Sequence, residues 1–386
     1  MKDNRKICKR CIMDNVNDPD LILDANGICH HCHNYDVEFG KLPKGKERDK
    51  KLEEIIHKMK EEGKGKKYDC ILGISGGVDS SYLAYLCRKF ELRALIVHFD
   101  NGWNSELAVK NIETILGKLK YDLITDVVDW NEFRDLQLSY FKAGVVDLEI
   151  PTDLAMLSVM FNYGRKNKIK YVLSGHNIVT EGTKMPVSWV HDKRDFVNLD
   201  SIHKKYGKLP LKTLPKMTFL SKLYHNFFTK FEYVQLLNLV DYNKEEVKKL
   251  LINELGWRDY GGKHFESVFT RFYQGYILPR KFNIDKRVFH YSCLIQSGQI
   301  TREEALEKMK LPVYNSRMLE EDKEFVIKKL GFTDASFEEY MKAPIRKHSE
   351  FKMERSYWET YFKLLKIVSV LTLKKWWGSK KNIKKG

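Results

Sequence analysis

Between residues 69 and 174 short apolar runs alternate with stretches whose apolar residues recur at helical spacing. The runs predict strands over Asp69–Ile74, Arg93–Phe99, Leu123–Val128 and Tyr171–Ser174. The intervening periodicity predicts helices over Val78–Phe90, Ser105–Leu119, Asn131–Phe141 and Thr152–Lys166. Strands alternating with helices imply an α/β protein with a doubly wound parallel sheet. Such sheets bind ligands beyond the C-terminal ends of their strands. Three polar clusters fall there: Ser75 to Ser81, His98-Phe99-Asp100-Asn101-Gly102, and Ser174-Gly175-His176-Asn177.

The flanks divide the chain further. Residues 1–40 carry Cys8-x2-Cys11 and Cys29-x2-Cys32, with Asp24-Ala25-Asn26-Gly27 as a turn ahead of the second pair. Two such knuckles present four thiolates to one tetrahedral ion, so a structural zinc ribbon is expected. His30, His31 and His33 lie close enough to compete as ligands. Residues 41–67 read as a linker helix, with Leu52, Ile55, Ile56 and Met59 on one side. A sheet domain over 68–200 precedes a mainly helical region over 201–345, where Asn243-x-x-Glu246, Thr301-x-x-Glu304 and Ser336-x-x-Glu339 resemble capping boxes. Residues 346–386 form a basic amphipathic tail. There Trp358, Tyr361, Phe362, Leu365 and Val368 share one helical face, and Trp376-Trp377 and lysines follow. This tail suits either an anionic membrane surface or packing against the body with a solvated lysine end.

Charge changes this picture less than its size suggests. The chain of 386 residues carries +16. Residues 351–386 hold ten Lys/Arg against two Glu, leaving +8 over the preceding 350 residues. That mild excess fits anionic small substrates better than nucleic acid. No apolar h-region opens the chain and no apolar run reaches membrane-spanning length, so a cytoplasmic protein is expected, with the tail at the inner membrane face if it meets lipid. Cys70, Cys87 and Cys293 read as core residues.

The most informative string is Gly73-Ile74-Ser75-Gly76-Gly77-Val78-Asp79-Ser80-Ser81. A buried strand feeding a glycine turn and then a helix gathers unpaired N–H groups and positive dipole potential at one point, which suits a phosphate. Glycine lets a phosphate touch the main chain, and Ser75, Ser80 and Ser81 add hydroxyls. The string lacks the spacing and lysine of a Walker loop. It resembles the SGGxDS loop of the ATP pyrophosphatases, the PP-loop fold, which cleave ATP between the α and β phosphates and adenylate a carbonyl oxygen.

With Cys8-Lys9-Arg10-Cys11-Ile12-Met13-Asp14, Ser174-Gly175-His176-Asn177, Trp257 to Ser267, Thr270-Arg271-Phe272 and Leu278-Pro279-Arg280-Lys281-Phe282, the chain resembles the N-acetyl sugar amidotransferases of surface-polysaccharide biosynthesis. The resemblance covers roughly residues 5–310; the stretch 212–231 and the final 40 or so residues lie outside it. It implies that ATP adenylates the N-acetyl carbonyl of a nucleotide-linked sugar, and that ammonia then displaces AMP to leave an acetamidino group. It also implies that ammonia comes from a separate glutaminase and a synthase-like subunit, both related to the histidine-biosynthesis pair. Consistent with that, the chain has neither Cys after Met1 nor a cysteine on a glycine elbow.

On this reading Gly73, Ser75, Gly76, Gly77, Val78, Ser80 and Ser81 cradle ATP, and Asp79 orients the loop or helps to hold Mg²⁺; as a plain alternative it is a carboxylate favoured by the helix dipole. His98 and Asp100 are placed for adenosine or merely solvate a strand end. Gly175 and His176 approach a phosphate. Lys263 is a candidate to stabilise the pyrophosphate or adenylate, and Lys184 is a weaker one. Arg271 and Arg280 are candidates for the substrate diphosphate, and Glu181, Trp189 and Glu266 for the sugar. Two other classes compete: a tRNA-thiolating relative, although no CxxC follows residue 32, and a non-enzymatic nucleotide-binding scaffold.

Overall fold

The computed structural model describes residues 5–182, 185–363, 365 and 366. Five parallel strands form the sheet: β1 (Cys70–Gly73), β2 (Ala94–Asp100), β3 (Leu123–Val127), β4 (Tyr171–Leu173) and β5 (Glu232–Val234), in the order β3-β2-β1-β4-β5. The order reverses at β1, so the β1/β4 junction is the topological switch point where such sheets open a crevice.

Side-chain alternation splits the core into two layers. Ile71, Leu95, Val97 and Val172 point to one face, and Cys70, Leu72, Ala94, Ile96, Tyr171 and Leu173 to the other. After α1 (His30–Gly40), which carries Cys32, the helices α2 (Gly45–Glu62), α3 (Val78–Lys89) and α4 (Glu106–Leu119) lie on the second face, through Met59, Leu83, Leu86, Ile112 and Ile115. On the first lie α5 (Trp130–Ala143) and α6 (Ile150–Lys166), through Phe133, Leu136, Leu154 and Val159. Each such aliphatic or aromatic side chain, fully buried, contributes about 1.5–3 kcal/mol relative to exposure. The helical stripe Leu52, Ile55, Ile56 and Met59 packs as its spacing predicts.

Two expectations need correction. The sheet does not end with the fourth strand: β5 lies beyond residue 200, in the stretch expected to be helical. It is a three-residue edge strand, too short for a periodicity to emerge. The box proposed at Ser336 sits one turn into its helix. Thr333 is the cap, accepting from the Ser336 N–H, and the Ser336 side chain closes the box as its third residue. The box at Thr301 forms as expected, whereas Asn243 caps its helix by accepting from the Glu245 and Glu246 N–H groups, one half of the expected box.

The N-terminal knuckles bring four buried sulfurs together. The Sγ separations are 3.9 Å for Cys8–Cys32, 3.6 Å for Cys11–Cys29 and 3.7 Å for Cys29–Cys32. A tetrahedron with Zn–S bonds of about 2.3 Å has edges of about 3.8 Å, so the donor set fits zinc. Main-chain N–H groups of Arg10, Cys11 and Cys29 donate to the Cys8 sulfur and stabilise thiolate there. The histidines turn elsewhere. His31 meets Asp18, His33 meets Asp24, and His30 accepts from the Ile22 N–H. The Asp24 turn forms with Gly27 at φ +79°. The ribbon is seated on helix Lys286–Gln296, where Ser292 accepts from the Ile12 N–H and Gln296 donates to the Cys32 sulfur.

Among the described residues no helix is long and apolar enough to cross a membrane. Of the tail, Val368, Trp376 and Trp377 lie outside the described residues. Purified protein is expected to carry one zinc per chain by atomic emission. Cys11→Ser should abolish that content and lower Tm, because an orphaned thiolate cluster repels itself; an unchanged Tm would sever the ribbon from the stability of the body.

Candidate active site at the sheet switch point

Beyond the C-terminal ends of β1, β2 and β4 opens a cavity of about 610 Å³. Its floor is the glycine corner. Gly76 has φ +82°, and a Cβ there would come within 2.8 Å of the Tyr260 hydroxyl and 2.9 Å of the Ala108 carbonyl, so no other residue fits. The Gly76 carbonyl accepts from Trp257 Nε1 at 2.8 Å and from the Tyr260 hydroxyl at 2.9 Å. These donors belong to the Trp257–Ser267 block, which is thereby clamped over the loop. Its far end is fixed too, since Ser105 N–H donates to Glu266 O and Val268 N–H to Trp103 O.

The loop holds itself open through its serines. Ser75 Oγ lies 3.3 Å from Ser80 Oγ and accepts from the Gly77 N–H. Gly77 is the N-cap of α3 and has no side chain, so no side chain caps the helix. The first-turn N–H groups at Val78, Asp79 and Ser80 therefore face the cavity with the positive end of the dipole. Gly175 allows the β4 loop to approach, with a Cβ there only 3.5 Å from Asp79 Cβ.

Charged side chains ring this corner. Lys263 meets Glu181 at 3.3 Å, and His176 lies 3.7 Å from the same carboxylate. Burial pushes the Glu181 carboxyl up, but Lys263 and His176 outweigh it and hold it below the usual range. Burial likewise works against the Lys263 charge, and Glu181 and Asp79 overcome it. Lys248 pairs with Asp259 at 3.0 Å. Lys244 lines the cavity with no ion pair among the described residues. Burial and the neighbouring Lys263 push its ammonium below the usual lysine range. Asp79 accepts from the Tyr242 hydroxyl and, at 3.4 Å, from Asn177. Burial and then Glu181 raise its carboxyl, against the pull of Lys263 and Lys244. The corner is electrostatically incomplete: its cations and helix dipole favour an anion, and its half-buried carboxylate favours a cation.

The opposite wall is a separate polar cluster. Lys193 bridges Asp147 and Asp153, each at 2.8 Å; Gln274 donates to Glu149 at 3.1 Å, and Lys286 lies 3.6 Å from Glu149. Met156, Met185 and Val190 supply apolar surface beside it.

Ser75, Gly77, Val78, Asp79, Ser80, Gly73, His98, Gly175, His176, Glu181, Lys263 and Glu266 all line the cavity as the sequence suggested. Glu266 lies beside Gly77 and 3.7 Å from His264; burial raises its carboxyl, but His264 outweighs it. His98 is fully engaged, with Nδ1 on the Ile74 carbonyl and Nε2 on the Asn104 amide, so it offers its ring face rather than a proton. Gly76 serves from beneath through its carbonyl.

Five assignments do not survive in the form expected. Ser81 is one residue past Ser80, rotated by about 100° on the helix, and points into the core fully buried. Asp100 stays outside the cavity and shapes its own loop, accepting from the Gly102 N–H and Asn104. Arg271 is an internal strut, forked onto Asp322 at 2.5 and 2.6 Å. Arg280 stacks on Tyr276 at 3.9 Å, away from the cavity. Trp189 is buried and donates to the Asn17 carbonyl, tying the ribbon down. Lys184 lies outside the described residues. Sequence reasoning missed Lys244, Lys248, Glu149, Asp153, Lys193, Gln274 and Lys286. A lysine directly after the Asn243 cap was the one local sign, and it reads equally well as a surface charge.

Residues 266–365 match the family model for the "LPS biosynthesis protein WbpG-like, C-terminal domain". That segment of the chain is similar to the WbpG-like domain. The match agrees with the resemblance to N-acetyl sugar amidotransferases drawn from the motifs. The WbpG-like domain supplies Glu266, Ser267, Thr270, Gln274 and Lys286 to the cavity. No curated protein matches the chain. Among solved structures, the NH3-dependent NAD synthetase of Campylobacter jejuni, in complex with the nitrate ion, is 15% identical, over 54% of this chain and 93% of that one, with a TM-score of 0.28. The NMN synthetase of Francisella tularensis is 12% identical, over 78% and 98%, with a TM-score of 0.31. The doubly wound fold itself stands on the strand order and the loop at its switch point.

The raised Asp79 carboxyl has a consequence for stability. A folded pKa above the unfolded value means that the charged form opposes folding, so the contribution is favourable at low pH and is lost as pH rises through the folded pKa. Asp79→Asn should therefore be more stable than the wild type at about pH 8, with an advantage that is lost by about pH 3, below the ordinary aspartate value. Denaturant unfolding at both values tests this; an advantage that grows toward acid would refute the assignment.

Proposed function

We propose that the chain is an ATP-dependent amidotransferase of the ATP pyrophosphatase type. In this reading it adenylates the N-acetyl carbonyl of a nucleotide-linked sugar in LPS biosynthesis and replaces that oxygen with ammonia-derived nitrogen. The carrying observation is the switch-point corner, where an uncapped helix N-terminus and a glycine turn face the unpaired Lys244. The WbpG-like match and the family motifs narrow the substrate class.

Ser75, Gly77, Val78 and Ser80 hold the β and γ phosphates through N–H and O–H groups, with Lys244, Lys248 and Lys263 around them. Asp79 would hold Mg²⁺, which would offset the charge of its half-buried carboxylate and would supply charge neutralisation for the departing pyrophosphate. His98 faces the adenosine with its ring. The acetamido oxygen attacks the α-phosphorus, the α–β bridge breaks, and pyrophosphate leaves against the lysines. Ammonia then adds to the activated carbon, loses a proton, and expels AMP. The sugar lies against Glu149, Asp153, Gln274 and Lys286, which replace Arg271, Arg280 and Trp189 as substrate contacts.

Ammonia reaches this cytoplasmic enzyme from a separate glutaminase with a synthase-like subunit. Sulfur transfer to tRNA is less well supported, because Cys70, Cys87 and Cys293 are buried and none lines the cavity. The decisive assay follows AMP and pyrophosphate release with ammonium and a panel of N-acetyl sugar nucleotides, with mass spectrometry of the product for oxygen replaced by NH. Lys244→Ala or Ser75→Ala should lower kcat by about 10²–10³-fold while Tm shows the fold retained. Turnover unaffected in both variants would remove the phosphate site from this corner. Glutamine should support the reaction only when a glutaminase subunit is added.

A further inference from the structure

Outside the cavity, one surface violates the usual segregation of apolar residues. Helix Phe219–Tyr224 runs into a π-turn, His225–Thr229. Leu220, Tyr224 and Phe228 recur along it at four-residue spacing and are 74%, 47% and 74% exposed, with Phe227 beside them at 58%. A second helical stretch, over 355–363 and 365–366, exposes Phe362 at 59% and Leu365 at 45%. The two are locked together. Phe219 packs against the rings of Tyr357, Trp358 and Tyr361 at 5.8, 4.9 and 6.5 Å, and Lys222 pairs with the buried Glu354.

Charge follows the same segments. Residues 208–231 contain five lysines and no acid; residues 351–386 contain ten Lys/Arg and two Glu. Together they hold +13 of the chain's +16. Exposed Lys212, Lys216, Lys230 and Lys363 flank the apolar stripes. Beyond residue 366 the sequence adds six lysines and no acid.

We propose that this paired element docks the protein on an anionic lipid surface, its apolar side chains entering the headgroup region and its lysines meeting lipid phosphates. Either stripe alone is short; apolar insertion and basic attraction add when presented together. A protein partner would have to supply matching acidic charge across both segments, whereas an anionic bilayer supplies it everywhere.

The test is co-sedimentation of the full chain with vesicles of phosphatidylcholine alone and of phosphatidylcholine with phosphatidylglycerol in equal parts. Binding should be at least about tenfold stronger to the anionic vesicles and should fall steeply with salt. Leu220→Glu with Phe228→Glu, and separately Phe362→Glu, should each weaken it about tenfold while zinc content and Tm stay unchanged. The salt and lipid dependence of the unaltered chain tests the proposal even if a variant misfolds. Equal binding to both vesicles, no binding, or full binding by folded variants would overturn it. So would a concentration-dependent dimer broken by the same substitutions, which would assign the face to a second copy.

Discussion

The site depends on one carbonyl. Gly76 adopts a conformation open to glycine, and its oxygen accepts from Trp257 and Tyr260, residues that follow it by more than half the described chain. A strand-to-helix turn in isolation is free to rearrange. Two donors on one acceptor, both from large and mostly buried aromatic side chains, fix it and remove a polar group from an apolar environment in the same stroke. The clamp also brings Lys263, His264 and Glu266 over the cavity, because they follow Tyr260 within six residues. Loop and lid are thus parts of one hydrogen-bonded unit.

That unit explains the uneven electrostatics. Asp79 and Glu181 are half-buried among Lys244, Lys248 and Lys263, and the shifts oppose one another: carboxyls raised by burial and drawn down by lysines, ammonium groups destabilised by burial and drawn up by carboxylates. Glu181 and Lys263 satisfy each other, whereas Asp79 and Lys244 are left respectively raised and lowered. A site that neutralised all of its own charges would have little differential affinity for an anion and its metal. Leaving one cation and one carboxylate without an ion pair among the described residues keeps the corner suited to a charged ligand, at a cost that the surrounding core sustains.

Contiguous features were legible in the sequence and distributed ones were not. The glycine loop, the β1–α3 turn and the paired knuckles are each written within a few neighbouring residues, so their geometry follows from local sterics and ligand spacing. Arg271 and Arg280 sit in recognisable blocks, but membership of a motif does not set side-chain direction, and Trp189 carries no local sign of its burial. Arg271 spends its fork on Asp322, fifty-one residues away. The opposite error has the same root. Asp153 and Lys193 read as ordinary surface charges until the fold brings them to one wall. Strand β5 escaped because three residues at a sheet edge carry no period, and its identity is conferred by the ladder with β4.

The ribbon belongs to the same mechanical argument. Helix Lys286–Gln296 touches it through Ser292 and Gln296, and by its first residue, Lys286, it reaches the cavity wall beside Glu149. Trp189 adds a second tie, and Arg302 a third through the Cys8 and Cys11 carbonyls. A closed four-sulfur centre has no position for substrate, so its contribution is rigidity at the back of a helix that presents charge at the front. Small N-terminal folds with few apolar residues need such a staple. Here the four-cysteine cluster, whose geometry fits zinc, also braces a wall of the cavity, which ties it to the geometry in which a substrate would have to sit.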